Sequence, residues 1–206
     1  ALERGDLKGR YEAYRIATSG EPGPVFVELP VDLQLFPANV PELPVFVAAL
    51  PAPVPSAEAI TRAAVILREA KHPALFVGWG ARGAQAELAE LADFLQAPVA
   101  TTLQGLSTFP SDHPLHVGFS FGPAAVPAAR NAFAKCDALL AVGTRFGEIA
   151  TGSFGVTVPA QLVHVDINPQ VFNANYPAQL TLEGDARVVL KALLAELKKA
   201  PARAAD

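Results

Sequence analysis

Ala74-Leu75-Phe76-Val77-Gly78-Trp79-Gly80-Ala81-Arg82-Gly83 runs from an unbroken apolar segment into a glycine turn, and Ala84, Leu88, Leu91 and Leu95 then recur on one helical face. A short apolar run closed by glycine and followed by a helical pattern is a strand-turn-helix unit. The theme returns downstream. Pro98-Val99-Ala100-Thr101 is a second short strand, a helix covers about Ala124 to Ala134, and strands follow at 138–142, 162–166 and 180–182 before a closing helix from Ala186 to about Lys199. Each crossover between parallel strands must lay a helix over the sheet, so the pattern predicts an α/β fold. It is a doubly wound parallel sheet of about six strands with helices on both faces.

Upstream, Ser56 is placed to cap a helix carrying Ile60, Ala63, Ala64 and Leu67 on one side, ended by His72-Pro73. From Leu33 to Pro55, prolines at 37, 41, 44, 51, 53 and 55 argue against helix and predict an extended linker. Before it, Leu7, Tyr11, Tyr14 and Ile16 mark a short amphipathic helix over Leu7 to Ala17. The turn Glu21-Pro22-Gly23-Pro24 leads into a β-rich run, Val25 to Leu29, stopped by Pro30. This helix-strand pair has no partner strand nearby and reads as the remnant of a neighbouring domain. The expected division is 1–32 remnant, 33–55 linker, 56–200 main domain and 201–206 a frayed tail.

With 206 residues, 51% of them apolar, the chain can bury one sizeable core. Sixteen Lys+Arg against 20 Asp+Glu give a net charge of −4, with no run of like charges to face phosphate backbones or anionic lipid. Neither nucleic acid nor membrane is an expected partner. Cys136 is the single cysteine, which excludes an internal disulfide and a cysteine-based zinc site and suits a cytoplasmic location. The absence of Met and a start at Ala1 suggest a sequence that begins in the middle of something larger.

Gly78-Trp79-Gly80-Ala81-Arg82-Gly83 has the spacing of a dinucleotide turn, where glycines let backbone approach a pyrophosphate at a helix N-terminus. The full fingerprint needs an acid at the end of the second strand to hold a ribose, and that strand ends in Thr101-Thr102 instead. The turn is therefore read either as a nucleotide contact or as a tight structural turn, with Trp79 standing where a bulky indole would occupy cofactor space. Thr101-Thr102-Leu103, Gly143-Thr144-Arg145 and Asp166-Ile167-Asn168-Pro169 should share the carboxyl edge of the sheet with it, where ligands settle in open α/β folds. Asp166 and Asn168 suit turn and cap duty equally well, and Arg145 suits either a ligand or an interface. His72, His113, His116 and His164 lack companions at metal-binding spacing, His113 and His116 lying in a proline-bounded loop, and no serine stands in a nucleophile elbow.

The segment from Ala17 to Asp32, with Gly20, Pro22-Gly23-Pro24-Val25 and Pro30, resembles the close of the pyrimidine-binding domain of acetolactate synthase-like, thiamine-diphosphate-dependent enzymes. Thr101-Thr102-Leu103-Gln104-Gly105-Leu106, Phe109-Pro110-Ser111-Asp112-His113-Pro114, Val142-Gly143-Thr144-Arg145-Phe146, His164-Val165-Asp166-Ile167-Asn168-Pro169 and Gly184-Asp185-Ala186 resemble, in order, the central domain of the same enzymes. The resemblance implies a Rossmann-like fold, with residues 1–32 as the end of the pyrimidine domain. In FAD-binding relatives the cofactor crosses this domain, and others hold ADP or nothing. The matching contacts are Gly78, Trp79, Gly80, Thr101, Thr102, Leu103, Gly143, Arg145, Asp166 and Asp185.

Two departures stand out. Relatives that bind FAD tend to have a third glycine where Trp79 stands, and a further arginine in the region of Gly147-Glu148-Ile149. The resemblance also implies thiamine diphosphate and magnesium in a parent enzyme that decarboxylates a 2-oxo acid and assembles as a homo-oligomer. The motifs for that cofactor have no match here, since Glu28 is not the activating glutamate and Gly184-Asp185-Ala186 lacks the asparagines that complete a diphosphate site. This chain alone is expected to be a non-catalytic scaffold whose partners are the pyrimidine- and diphosphate-binding domains. The parent is alternatively an oxidase, another decarboxylase or an acetyltransferase, and a free-standing nucleotide-binding module is the rival outside the family.

Overall fold

The computed structural model describes residues 4–36 and 45–204, which fall into two compact units divided between Ala52 and Pro53.

In the first unit, helix α1 spans Arg4–Thr18; the side chain of Leu7, assigned to its apolar face, lies outside the described residues. The helix closes with Thr18 Oγ1 donating to the Tyr14 carbonyl at 2.8 Å. Tyr11 and Tyr14 meet the ring of Phe46 edge-on, with centroids 5.7 and 5.5 Å apart. The predicted strand over Val25 to Leu29 does not form: among the described residues the segment has no ladder partner, and Phe26 is 87% exposed. Strand propensity is local, whereas a strand exists only through pairing. A second correction concerns the linker, whose first residues belong to a short helix, α2 (Val31–Leu35). Pro30 occupies its cap with φ −55°, and the first proline of the run, Pro37, comes only after the helix has ended, so nothing forbids this turn. Pro37, Pro41 and Pro44 lie outside the described residues.

The second unit holds α3 (Ala57–Glu69), β1 (Pro73–Val77), α4 (Gln85–Leu95), β2 (Val99–Thr101), β3 (His116–Phe119), α5 (Pro127–Phe133), β4 (Ala138–Val142), β5 (Gln161–Asp166), β6 (Leu180–Glu183) and α6 (Ala186–Leu197). The six strands form one sheet in the order β3-β2-β1-β4-β5-β6, every neighbouring pair parallel. This is the order of a doubly wound nucleotide-binding sheet, which reverses between β1 and β4. Strand β3 replaces the loop expected around His116. It is a half-buried edge strand whose register against β2 shifts between Val99 and Ala100, so it carries neither an apolar run nor a clean alternation.

Period-two alternation assigns each strand residue to one of two cores. Leu75, Val77, Val99, Leu140, Val142, Val163, Val165 and Leu182 face the layer of α3, α4 and α6. Ala74, Phe76, Ala100, Leu139, Ala141 and Leu162 face the other side, where Phe133 of α5 is joined by Phe121, Phe146 and Val156 from loops. Ser56 caps α3, its side chain accepting from the Ala59 amide at 3.2 Å. Asp137, just ahead of β4, accepts from the amides of Lys71 and His72, each at 2.8 Å, and so fixes the entries of the two central strands.

The tail corrects a fourth expectation. Instead of fraying, the tail is tied down at Arg203. The Arg203 amide donates to the Phe94 carbonyl at 3.0 Å, and its guanidinium donates to the carbonyls of Lys71 and Ala70, beyond the end of α3. A cation at the C-terminal end of a helix complements its dipole.

Candidate functional site

Because every strand is parallel, the loops after all six leave from one edge. At the reversal, the turn after β1 meets the end of β4 backbone to backbone. The Gly78 amide donates to the Val142 carbonyl at 2.9 Å, the Gly80 amide to the Gly143 carbonyl at 3.0 Å, and the Ala81 amide to the Gly78 carbonyl at 3.1 Å. A Cβ on Gly78 would lie 2.2 Å from the Gly143 oxygen, and one on Gly80 would lie 2.8 Å from the Gly143 Cα. Gly143 itself has φ +58° and equally little room, a combination only glycine accommodates. Gly105, in the loop after β2, abuts the Val77 carbonyl in the same way. Gly78 and Gly80 are thus accounted for by close packing of neighbouring strand tips, whereas Gly83 has open space around it and is called for by its φ of +93°. Three amide hydrogens that a pyrophosphate would seek are spent within that packing.

The candidate residues separate by exposure. Trp79, Gly80, Leu103, Arg145 and Asp185 reach the surface of the edge, whereas Gly78, Thr101, Thr102 and Asp166 are buried and Gly143 is intermediate. Trp79 sits in a 3₁₀ turn, Trp79–Ala81, with half of its surface exposed, and the Arg82 guanidinium lies 4.9 Å from the indole centroid. The indole is thus half exposed beside a guanidinium. Thr102 Oγ1 accepts from the Gly105 amide at 3.0 Å, a turn-pinning role, while Thr101 Oγ1 is buried with no partner. Asp166 accepts from the Asn168 amide at 2.9 Å and Asn168 Oδ1 from the Gln170 amide at 3.0 Å, so both perform the turn duty that their residue types suggest. Burial pushes the Asp166 carboxyl above its ordinary value, against the opposing pull of the Asn168 amide, the Arg145 charge and the Ile167 amide. Asp185 caps α6, accepting from the Val188 amide at 3.1 Å.

The loop after β4 is held by residues that were not among the expected cofactor contacts. His164 Nε2 lies 2.8 Å from the Thr144 carbonyl and donates to it. Its Nδ1 is buried without a partner, and the ring meets Phe146 and Phe172 edge-on. Burial lowers the pKa of His164, with the Thr144 hydrogen bond pulling the other way. Asn175 Nδ2 donates to the carbonyls of Arg145 and Phe146 at 3.0 and 3.2 Å. The inward place of His164 is readable from the alternation of 162–166; Asn175 gives no such signal. Cys136 is half-buried and its thiol is pushed up to about 12 by burial and the neighbouring Asp137 charge. Among the described residues no three His, Cys, Asp or Glu side chains are grouped to hold a metal, and no helix is long and apolar enough to cross a membrane.

Residues 60–193 match the family described as thiamine pyrophosphate enzyme, central domain. The chain is 38% identical over 90% of its length to a probable acetolactate synthase large subunit of Methanocaldococcus jannaschii, covering 32% of that protein. It is 36% identical over 95% of its length to the acetolactate synthase large subunit of Corynebacterium glutamicum, again covering 32%. With the acetolactate synthase isozyme 2 large subunit of Escherichia coli the identity is 38% over 88% of this chain and 33% of the relative. The chain spans about a third of the length of these curated relatives. The order of the sheet and the match over its core lead to one conclusion: this chain belongs to the thiamine pyrophosphate enzyme family, as its central domain.

Proposed function

We infer that this chain is the scaffold of an acetolactate synthase-like enzyme and that the carboxyl edge of its sheet holds an adenine nucleotide, FAD or a simpler ADP-type ligand. The observation that carries this reading is the convergence of the loops after β1, β2, β4 and β5 on the point where strand order reverses, the place where ligands settle in sheets of this kind. Trp79, Gly80, Leu103 and Arg145 would face the ligand, and Asp166, Asp185, His164 and Asn175 would hold the loops that carry them. A flavin bound there would act as a rigid brace between loops and would carry no electrons in the main reaction.

Thiamine diphosphate and magnesium do not fit the residues of this chain. Asp185, the one acid in a motif-like setting, is committed to the α6 cap, and no acid cluster stands near it among the described residues. The proposal therefore gives 2-oxo acid chemistry to pyrimidine- and diphosphate-binding domains that act as partners, in a cytoplasmic homo-oligomer. Residues 1–32 would close the first of these domains, 33–55 would link, 56–200 would form the nucleotide-binding body and 201–206 the tail. Two measurements test the reading. Calorimetry of the purified chain with ADP and with FAD should show saturable binding, and absence of heat with both ligands at high protein concentration would sink the nucleotide site. Pyruvate with thiamine diphosphate and magnesium should remain unconsumed by the chain alone, and turnover would overturn the scaffold role.

A further inference from the structure

Gly184 follows the last residue of β6, and its backbone lies outside the left-handed region, so conformation does not call for a glycine there. Space does. A Cβ at this position would lie 2.7 Å from the Pro53 carbonyl oxygen, 3.0 Å from Val189 Cγ2 and 3.3 Å from Pro55 Cδ. Two of these three neighbours belong to the proline-rich stretch 33–55 that the sequence marks as a linker. The last residues of that stretch therefore rest on the tip of β6 as a strap.

The two sides of this contact differ in stiffness. On the β6 side, the Gly184 amide donates to the Asp166 carbonyl at 3.0 Å, Asp185 caps α6, and Val189 is buried in the core. On the strap side, Pro53 and Pro55 have no amide hydrogen, and among the described residues no backbone group from Pro53 to Pro55 is hydrogen-bonded. Val54 is 67% exposed, and the next fixed point is the Ser56 cap of α3. Only the fixed φ of the two prolines and their packing on Gly184 hold the strap, so it is the side that yields when the seat is crowded. We propose that Gly184 is the seat of a latch: residues 53–55 join the second unit by resting on it, and they lift away when it is filled. The freedom of the linker then ends before Pro53 and not at the Ser56 cap, which agrees with the division of the chain between Ala52 and Pro53. Gly184 and Asp185 divide two duties, the first receiving the strap and the second capping the helix.

Nitrogen-15 relaxation of the full 206-residue chain reads the latch at Val54, which has an amide hydrogen where its neighbours Pro53 and Pro55 have none. With the strap seated, the Val54 order parameter should be about 0.85, the value of rigid backbone, whereas a free linker residue falls below about 0.6. Gly184→Ala should drop Val54 into that free range while the amides of Leu182 and Val188 keep their parent order, and circular dichroism should keep its parent shape. Ordinary crowding of the strand tip predicts the reverse, with Leu182 and Val188 loosened and Val54 still rigid, and that result would overturn the latch. Pro55→Gly reaches the same contact from the other side: it removes the ring that lies against Gly184 without touching β6, and should also free Val54. If Gly184→Ala does not fold, the parent chain and Pro55→Gly still decide. A Val54 order parameter below about 0.6 in the parent chain, or an unchanged one in Pro55→Gly, refutes the proposal.

Discussion

Gly78→Ala separates a glycine required by packing from a glycine required by a ligand. The backbone at Gly78, φ −108° and ψ −176°, is open to any residue, so conformational strain plays no part. The obstacle is the Gly143 oxygen 2.2 Å from the new Cβ, with the Gly143 carbonyl carbon and the Thr144 Cα at 2.9 Å. Relief requires the end of β4 to retreat by more than 1 Å to reach ordinary contact distance, and that end is backbone, without a flexible side chain to swing aside. Overpacking a rigid site costs about 1–3 kcal/mol. The retreat also weakens the hydrogen bonds from Gly78 to Val142 and from Gly80 to Gly143, each contributing about 0.5–1.5 kcal/mol. Together these give about 2–6 kcal/mol, or a fall in melting temperature of about 4–24 °C for a unit of this size. Urea unfolding monitored by circular dichroism measures it, with Gly147→Ala, whose Cβ meets nothing within 4 Å, as the control expected within about 0.5 kcal/mol of the parent. If Gly78→Ala unfolds within about 1 kcal/mol of the parent, the packing account is wrong.

Two further outcomes follow from buried titratable groups. The lowered pKa of His164 means that below about pH 6.5 the unfolded chain takes up a proton that the folded chain resists. Stability is then complete above that pH and lost as pH falls towards the folded value, by at most about 1.4 kcal/mol per pH unit; a His164→Gln variant whose denaturation midpoint shows the same acid dependence would refute this. With its thiol near 12, Cys136 at pH 8 should react with iodoacetamide on the order of 10³-fold more slowly in the folded chain than in urea, and a difference under tenfold would contradict its burial.

Strands β1, β4 and β5 were legible because both faces of a central parallel strand are covered, which leaves Ala74 to Val77, Ala138 to Val142 and Leu162 to Val165 as nearly continuous apolar runs. The edge strand β3 was not, since His116-Val117-Gly118-Phe119 is half-buried and Gly118 has φ +106°. Val25 to Leu29 shows the converse: its residues are as β-prone as those of β1, and the missing ingredient, a partner, is absent from the local sequence. The same limit applies to the site. Gly78 and Gly80 were visible as a motif, but the reason for them is Gly143, far along the chain. The inward side of His164 could be read from alternation, while its acceptor, the Thr144 carbonyl, could not.

The pairing of β1 with β4 also has a temporal side. Leu75 lies opposite Leu140, so during synthesis at about 5–20 residues per second the far edge of β1 waits roughly 3–13 s for its neighbour to be made. Throughout that interval Ala74-Leu75-Phe76-Val77 offers an unsatisfied row of backbone groups on a greasy ribbon, the kind of surface on which nascent chains stick to one another. Production of this protein should therefore depend on holdase chaperones and on slow, cool expression more than its finished stability would suggest.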